Sequence, residues 1–118
     1  MKIEEAGKLL GFAALYDNRR VEVPDVMAWH RVIGDLPYID AEQAIADHYR
    51  DSRERVMPSD IRERVKAIRS ERLRLNPVPP PPAELLDDPP AYRKWLRETA
   101  QRFADGPAQH RAIGGTRP

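Results

Sequence analysis

The stretch VMPSDIRERVKAIRSERLRLNPVPPPP, Val56 to Pro82, passes from an amphipathic, arginine-rich helix into a run of prolines. Pro58-Ser59-Asp60 opens the helix: proline at the first helical position loses no hydrogen bond, and an acid complements the helix's positive end. Ile61, Val65, Ile68 and Leu75 then fall on one stripe, at spacings of four, three and seven. Asn76-Pro77 ends it, because the residue before a proline is pushed out of the helical region. The stretch therefore reads as the closing wall of a small helical core and, at its end, the limit of that core.

Three further helices precede it. Ile3, Ala6, Leu10 and Ala13, with Leu9 and Tyr16, recur at helical spacing until Asn18-Arg19-Arg20. Val23-Pro24-Asp25 has the chemistry of a second start; Val26, Met27, Trp29, Val32 and Ile33 supply its buried side, and Gly34 is suited to a left-handed cap. A third helix is expected to open at Asp40, capped by that carboxylate with Gln43 reaching back, and to continue through Ala41, Ala44, Ile45 and Tyr49. No stretch alternates as a strand does. The expected fold is all-α: a four-helix head over residues 1–75, a proline-rich linker over 76–90, and an amphipathic docking helix with a disordered tail over 91–118.

The linker NPVPPPPAELLDDPP holds seven of the chain's 12 prolines, favours extended polyproline II and behaves as a semi-rigid spacer. Beyond it, Asp88 and Pro89 open a fifth helix, and Tyr92, Leu96, Thr99 and Phe103, with Trp95 beside them, line one face before Asp105-Gly106-Pro107 stops it. Such a face needs cover. It either folds back on the head, docks in a groove on a partner or pairs with a second copy of itself. The 114–118 end is expected to be disordered and is given no role.

Composition excludes several chemistries. The 118 residues include no cysteine, so disulfides and thiolate metal sites are ruled out. The start MKIEEAGKLL lacks the basic flank of a signal peptide and no apolar run is long enough to cross a bilayer, so a cytoplasmic protein is expected. His30, His48 and His110 stand apart, at no metal-ligand spacing, and His30 and His48 are expected at helix surfaces or margins. No nucleophile elbow or phosphate-binding glycine loop occurs. Asp40, Glu42 and Asp47 are better explained by capping and solvation than by acid-base work. Neither an enzyme nor a cofactor is expected.

Net charge is +1, but residues 58–75 carry six Lys/Arg against three Asp/Glu. Arg62, Lys66 and Arg69 share one flank of the fourth helix and form a row able to follow a phosphate backbone. Glu63 and Glu71 dilute it, and no aromatic or amide side chain is placed to stack on or read a base. A small DNA-binding regulator using this helix is therefore the alternative function.

The order KIEEAGKLL, VPDVMAWHRVIGDLPYIDAEQAIADHY, MPSDI resembles the phage loader-and-inhibitor family of replicative helicases. Leu9, Leu10, Tyr16, Val26, Trp29, Ile33, Asp35, Tyr38, Ala41, Ala44, Tyr49, Pro58 and Ile61 carry the resemblance, which spans residues 2–69. It implies a non-enzymatic phage or prophage replication protein, acting in the bacterial host cytoplasm, that binds a hexameric replicative DNA helicase and loads or inhibits it beside an initiator protein. Contact with DNA would be weak or indirect. The resemblance also implies a flexible helicase-binding carboxy-terminal half; assigning that contact to Tyr92, Trp95, Leu96, Thr99 and Phe103 rests on amphipathicity.

Overall fold

The computed structural model describes residues 1–114, with side chains for residues 1–106. The expectations for the far end of the tail and for the His110 side chain fall outside them. The described residues are all-helical and contain no strand: α1 (Ile3–Asp17), α2 (Val23–Ile33), α3 (Tyr38–Asp51), α4 (Pro58–Leu75), a 3₁₀ turn (Ala83–Leu85) and α5 (Pro89–Gly114). They group into two compact units, Met1–Ala67 and Ile68–Pro118, so the division runs through α4.

Most helix starts share one device. An acid in the first turn reaches back to a backbone amide that would otherwise lack a partner: Lys2 N–H donates to Glu5 (2.7 Å), Glu22 N–H to Asp25 (3.0 Å) and Met57 N–H to Asp60 (2.8 Å). The third helix departs from this expectation. It begins at Tyr38 after Pro37, two residues early, and Asp40 is buried inside its first turn instead of capping it. Gln43 donates along the helix to Asp47 (2.9 Å). Proline at the cap has no N–H and so needs no acceptor, and its φ of −66° suits the entry into the helix.

In the first unit α1 packs against α2 and α3. Leu9, Leu10 and Ala13 of α1, Trp29 and Ile33 of α2, Ala41, Ala44 and Ile45 of α3, and Ile61 and Val65 of α4 form one core with Val56 from the preceding loop. Some expected core positions face outward: Met27 and Val32 are 54% and 44% exposed, and Tyr16 is 50% exposed. A helix of 11 residues crossing its neighbours buries a narrow stripe, and in α2 Trp29 and Ile33 fill it.

The left-handed cap also lies elsewhere. Gly34 is right-handed (φ −61°), and Asn18 takes the αL conformation (φ 57°), its N–H donating to Ala14 O at 2.9 Å. Asparagine tolerates this region better than most residues. The reversal at Asn18 turns Arg19 back onto the helix it has just left.

Arg19 then organises a buried polar cluster. Its Nε and Nη2 fork onto Asp17 at 3.0 and 2.6 Å, and Nη2 also donates to Val56 O at 2.7 Å. Tyr49 of α3 donates its hydroxyl to Asp17 and accepts from Val56 N–H (2.9 Å), and it stacks on Tyr16 at 4.9 Å. The guanidinium lies 4.9 Å from the centre of the Trp29 ring. With side chains only 8% and 9% exposed, Arg19 and Asp17 are shielded from solvent screening. Burial alone raises the Asp17 pKa, but hydrogen bonds from Arg19 and Tyr49 outweigh it and lower the carboxyl from 3.8 to about 2.

In the second unit the end of α4 meets α5. Arg69 pairs with Asp105 at 2.6 Å, and Arg72 donates to the carbonyls of Ala104 (2.9 Å) and Asp105 (2.8 Å). Leu75, expected on the buried stripe, is 62% exposed. Asp88 opens α5 as anticipated, accepting from Ala91 N–H at 3.2 Å. The expected stop at Gly106 is a break in the backbone (φ 62°, ψ −166°), with helical backbone resuming beyond it as far as Gly114.

A carboxylate whose folded pKa lies below its unfolded value stabilises the fold fully above the unfolded pKa and loses that contribution as pH falls through the folded one. For Asp17 the window runs from about pH 4 down to about pH 2, and the contribution is on the order of 2 kcal/mol. Urea denaturation of the parent and of Asp17→Asn from pH 6 to pH 2 should give stability curves that converge towards the acid end. A constant offset between them across that range would show that Asp17 is not held ionised by this cluster.

Candidate functional site

The face expected to dock is graded along α5. Tyr92 and Trp95 are half-buried, with ring centres 6.4 Å apart and tilted by 57°, and Leu96 beside them is 41% exposed. Thr99 and Ala104 are buried at 1% and 5%, and Phe103 is half-buried. The carboxy-terminal part of the stripe is thus already covered, while the first turns present an aromatic pair and a leucine. A tyrosine and a tryptophan side by side offer large rigid apolar area with polar edges, the composition that carries binding energy at protein interfaces.

The cation row of α4 is distributed differently from the sequence reading. Arg62 forks onto Asp35 at 2.6 and 3.1 Å and donates to Val32 O at 2.7 Å, which ties α4 to the end of α2. The Arg62 guanidinium holds the Asp35 carboxyl below its usual range. Arg69 is committed to Asp105, Arg64 pairs with Asp51 at 3.2 Å, and Lys66 is exposed. Two of the three residues expected to face phosphate therefore already meet carboxylates of this chain, and the third stands between them on the surface.

His48, expected at a helix margin, is buried at 7% and donates from Nε2 to Glu54 O at 2.6 Å; His30 Nε2 donates to Met1 O at 3.0 Å. Both hold chain segments together. Among the described residues no group of His, Asp and Glu side chains is arranged to hold a metal ion, no buried side-chain polar atom lacks a partner, and no helix is long and apolar enough to cross a membrane.

A feature absent from the sequence reading lies in the first unit. Leu10, Arg19, Arg20, Asp25, Trp29, Arg55 and Met57 line an open depression of about 380 Å³. Its residues come from α1, α2 and the two loops at 18–22 and 52–57, segments distant along the chain. No spacing in the sequence points to it, because its lining residues are brought together by the packing of α1 against α2.

No protein-family model matches this chain, and no curated protein or solved structure shows significant similarity to it.

The Gly106 break lies where Arg72 of α4 meets the carbonyls of Ala104 and Asp105. Its backbone lies in a region that glycine alone occupies readily, and a Cβ there would come within 2.8 Å of Arg72 Cδ. Gly106→Ala is expected to cost about 1–3 kcal/mol, read as lost hydrogen-exchange protection of the amides from Trp95 to Asp105. Unchanged protection would show that the break is dispensable.

Proposed function

We propose that this chain is a non-enzymatic adaptor of phage or prophage DNA replication that engages a hexameric replicative helicase and loads it or holds it inactive. The observation that carries the adaptor reading is the partly open Tyr92, Trp95 and Leu96 face at the start of α5, which follows a proline-rich segment. The helicase as partner, and the bacterial cytoplasm as location, rest on the resemblance of residues 2–69 to the loader-and-inhibitor family. Several positions of that resemblance, among them Leu9, Leu10, Trp29, Ile33, Ala41, Ala44 and Ile61, are core residues of the first unit.

The mechanism is tethering. Residues 1–75 act as a helical head, 76–90 as a spacer, and the first turns of α5 as the docking element. A docked α5 keeps the head near a second site on the same ring, so two weak contacts act as one strong one. A ring-shaped partner offers several equivalent sites, and copies of a 118-residue chain could occupy them together. Nothing in this scheme requires nucleotide hydrolysis by the adaptor. Thr99 and Phe103 join the contact only to the extent that binding uncovers them.

The alternative, a DNA-binding regulator acting through the 58–75 helix, has less support, because Arg62 and Arg69 are engaged by Asp35 and Asp105. It predicts affinity that falls steeply with salt and with alanine at Arg62, Lys66 and Arg69.

Sedimentation velocity of the full chain mixed with a purified hexameric replicative helicase tests the proposal. The parent should co-sediment with the ring. Trp95→Ala and Leu96→Ala should weaken binding by about tenfold or more, the loss typical of a central interface anchor. A parent chain that sediments alone would sink the helicase reading, and a doubled mass in the absence of helicase that Trp95→Ala abolishes would identify α5 as a self-association surface.

A further inference from the structure

The proline segment that follows α4 presents a regular surface. Five of the six residues from Pro77 to Pro82 are proline, so only Val78 carries a backbone N–H, and φ is fixed at roughly −65° along nearly the whole run. The run belongs to no helix or strand, and at its end Pro82 has φ −57° and ψ 144°, the values of polyproline II. Pro82 O accepts from Leu85 N–H at 3.1 Å, while among the described residues the carbonyls of residues 77–81 accept no hydrogen bond.

A polyproline II helix has three residues per turn, which sorts its side chains onto three edges. Val78 and Pro81 share one edge and are both half-buried. Pro77 and Pro80 on the second edge, and Pro79 and Pro82 on the third, are all exposed. Exposure thus follows the threefold period, and two adjacent edges of proline rings face solvent. Grooves that recognise polyproline II are lined by aromatic rings and receive a ligand of this form along two of its edges, with the remaining edge turned away.

We infer that residues 77–82 are a docking strand for an aromatic-lined groove on a partner protein. Pro77, Pro79, Pro80 and Pro82 stack on tyrosine and tryptophan rings of that groove, and the free carbonyls accept from its tyrosine O–H or tryptophan N–H groups. The segment is already extended before it binds, so little backbone freedom is lost on association. Exposed Arg74 stands three residues before Pro77, but Glu71 meets it at 2.5 Å and the contact does not require it. The site depends neither on the helicase reading nor on the open face of α5.

The test is isothermal titration calorimetry of the full chain with purified SH3 and WW domains, two folds whose aromatic grooves take polyproline II. Saturable binding to at least one of them is expected. Pro79→Ala combined with Pro80→Ala removes one ring from each exposed edge and should weaken that binding at least about tenfold. Val78→Ala, on the half-buried edge, should bind as the parent does. All three substitutions lie outside the helices, so the circular dichroism of each variant should match that of the parent. Absence of saturation with either domain by about 1 mM, the scale of a bare encounter, would overturn the inference. So would undiminished affinity in the double variant, or a loss in Val78→Ala as large as in the double variant, since a plain spacer has no preferred edge. Co-sedimentation with a helicase reads α5 instead, so the two readings fail separately.

Discussion

The fork of Arg19 on Asp17 is the interaction around which the first unit is arranged. A guanidinium and a carboxylate shielded to this degree are costly to desolvate, and removing either partner strands the other, at about 3–5 kcal/mol. The cost is met by using every donor and acceptor that faces inward. Asp17 accepts from both Arg19 and Tyr49, and Val56 closes the circuit by accepting from Arg19 and donating to Tyr49. One cluster thereby joins the end of α1, the middle of α3 and the loop before α4, while the guanidinium face supports Trp29 of α2. Leucine and alanine contacts supply most of the burial, but they are tolerant of sliding. The fork is not, because its geometry is directional.

The same logic explains why the arginines of α4 are poor evidence for a nucleic-acid surface. Arg62 meets Asp35, Arg64 meets Asp51, and Arg69 meets Asp105. Exposed pairs such as Arg62–Asp35 contribute little to stability, but they fix which carbonyls and carboxylates lie beside the helix. Arg62 secures the end of α2 through Val32 O, and Arg72 gathers the carbonyls of Ala104 and Asp105 before the Gly106 break. Charge on α4 is spent largely on this chain's own segments. In the first unit Arg20 and Arg55 are exposed in the loops at 18–22 and 52–57, and Arg20 lies 3.6 Å from Glu22.

Much of the local structure was legible because it depends on neighbours in sequence. Pro58-Ser59-Asp60, Asn76-Pro77 and Asp88-Pro89 mark helix ends through effects confined to one turn, and α4 and α5 begin where those residues direct. The helical stripes of α1 and α3 likewise name their buried residues, Leu9, Leu10, Ala13, Ala41, Ala44 and Ile45. Readings that failed concerned choices between equally good local options. Gly34 and Asn18 could each take a left-handed cap, and Pro37 and Asp40 could each begin α3. Trp29, Val32 and Met27 compete for one narrow buried stripe. The docking stripe on α5 was visible as a period, but its gradation from open Leu96 to buried Thr99 was not.

Sequence by itself determined that the described chain is helical, where most helices start and stop, and that a proline-rich segment interrupts them, because propensity, capping and proline sterics act within a few residues. Tertiary structure alone decided which charges are spent and which remain available. Asp17, Arg19, Tyr49 and Val56 are separated by up to 39 positions, and no local pattern announces that they meet. Their convergence follows from the packing of α1 against α3, and with it comes the seat of Trp29 beneath the Arg19 guanidinium. A pairwise contact between distant residues has no periodicity in the sequence, so only the folded chain reveals it.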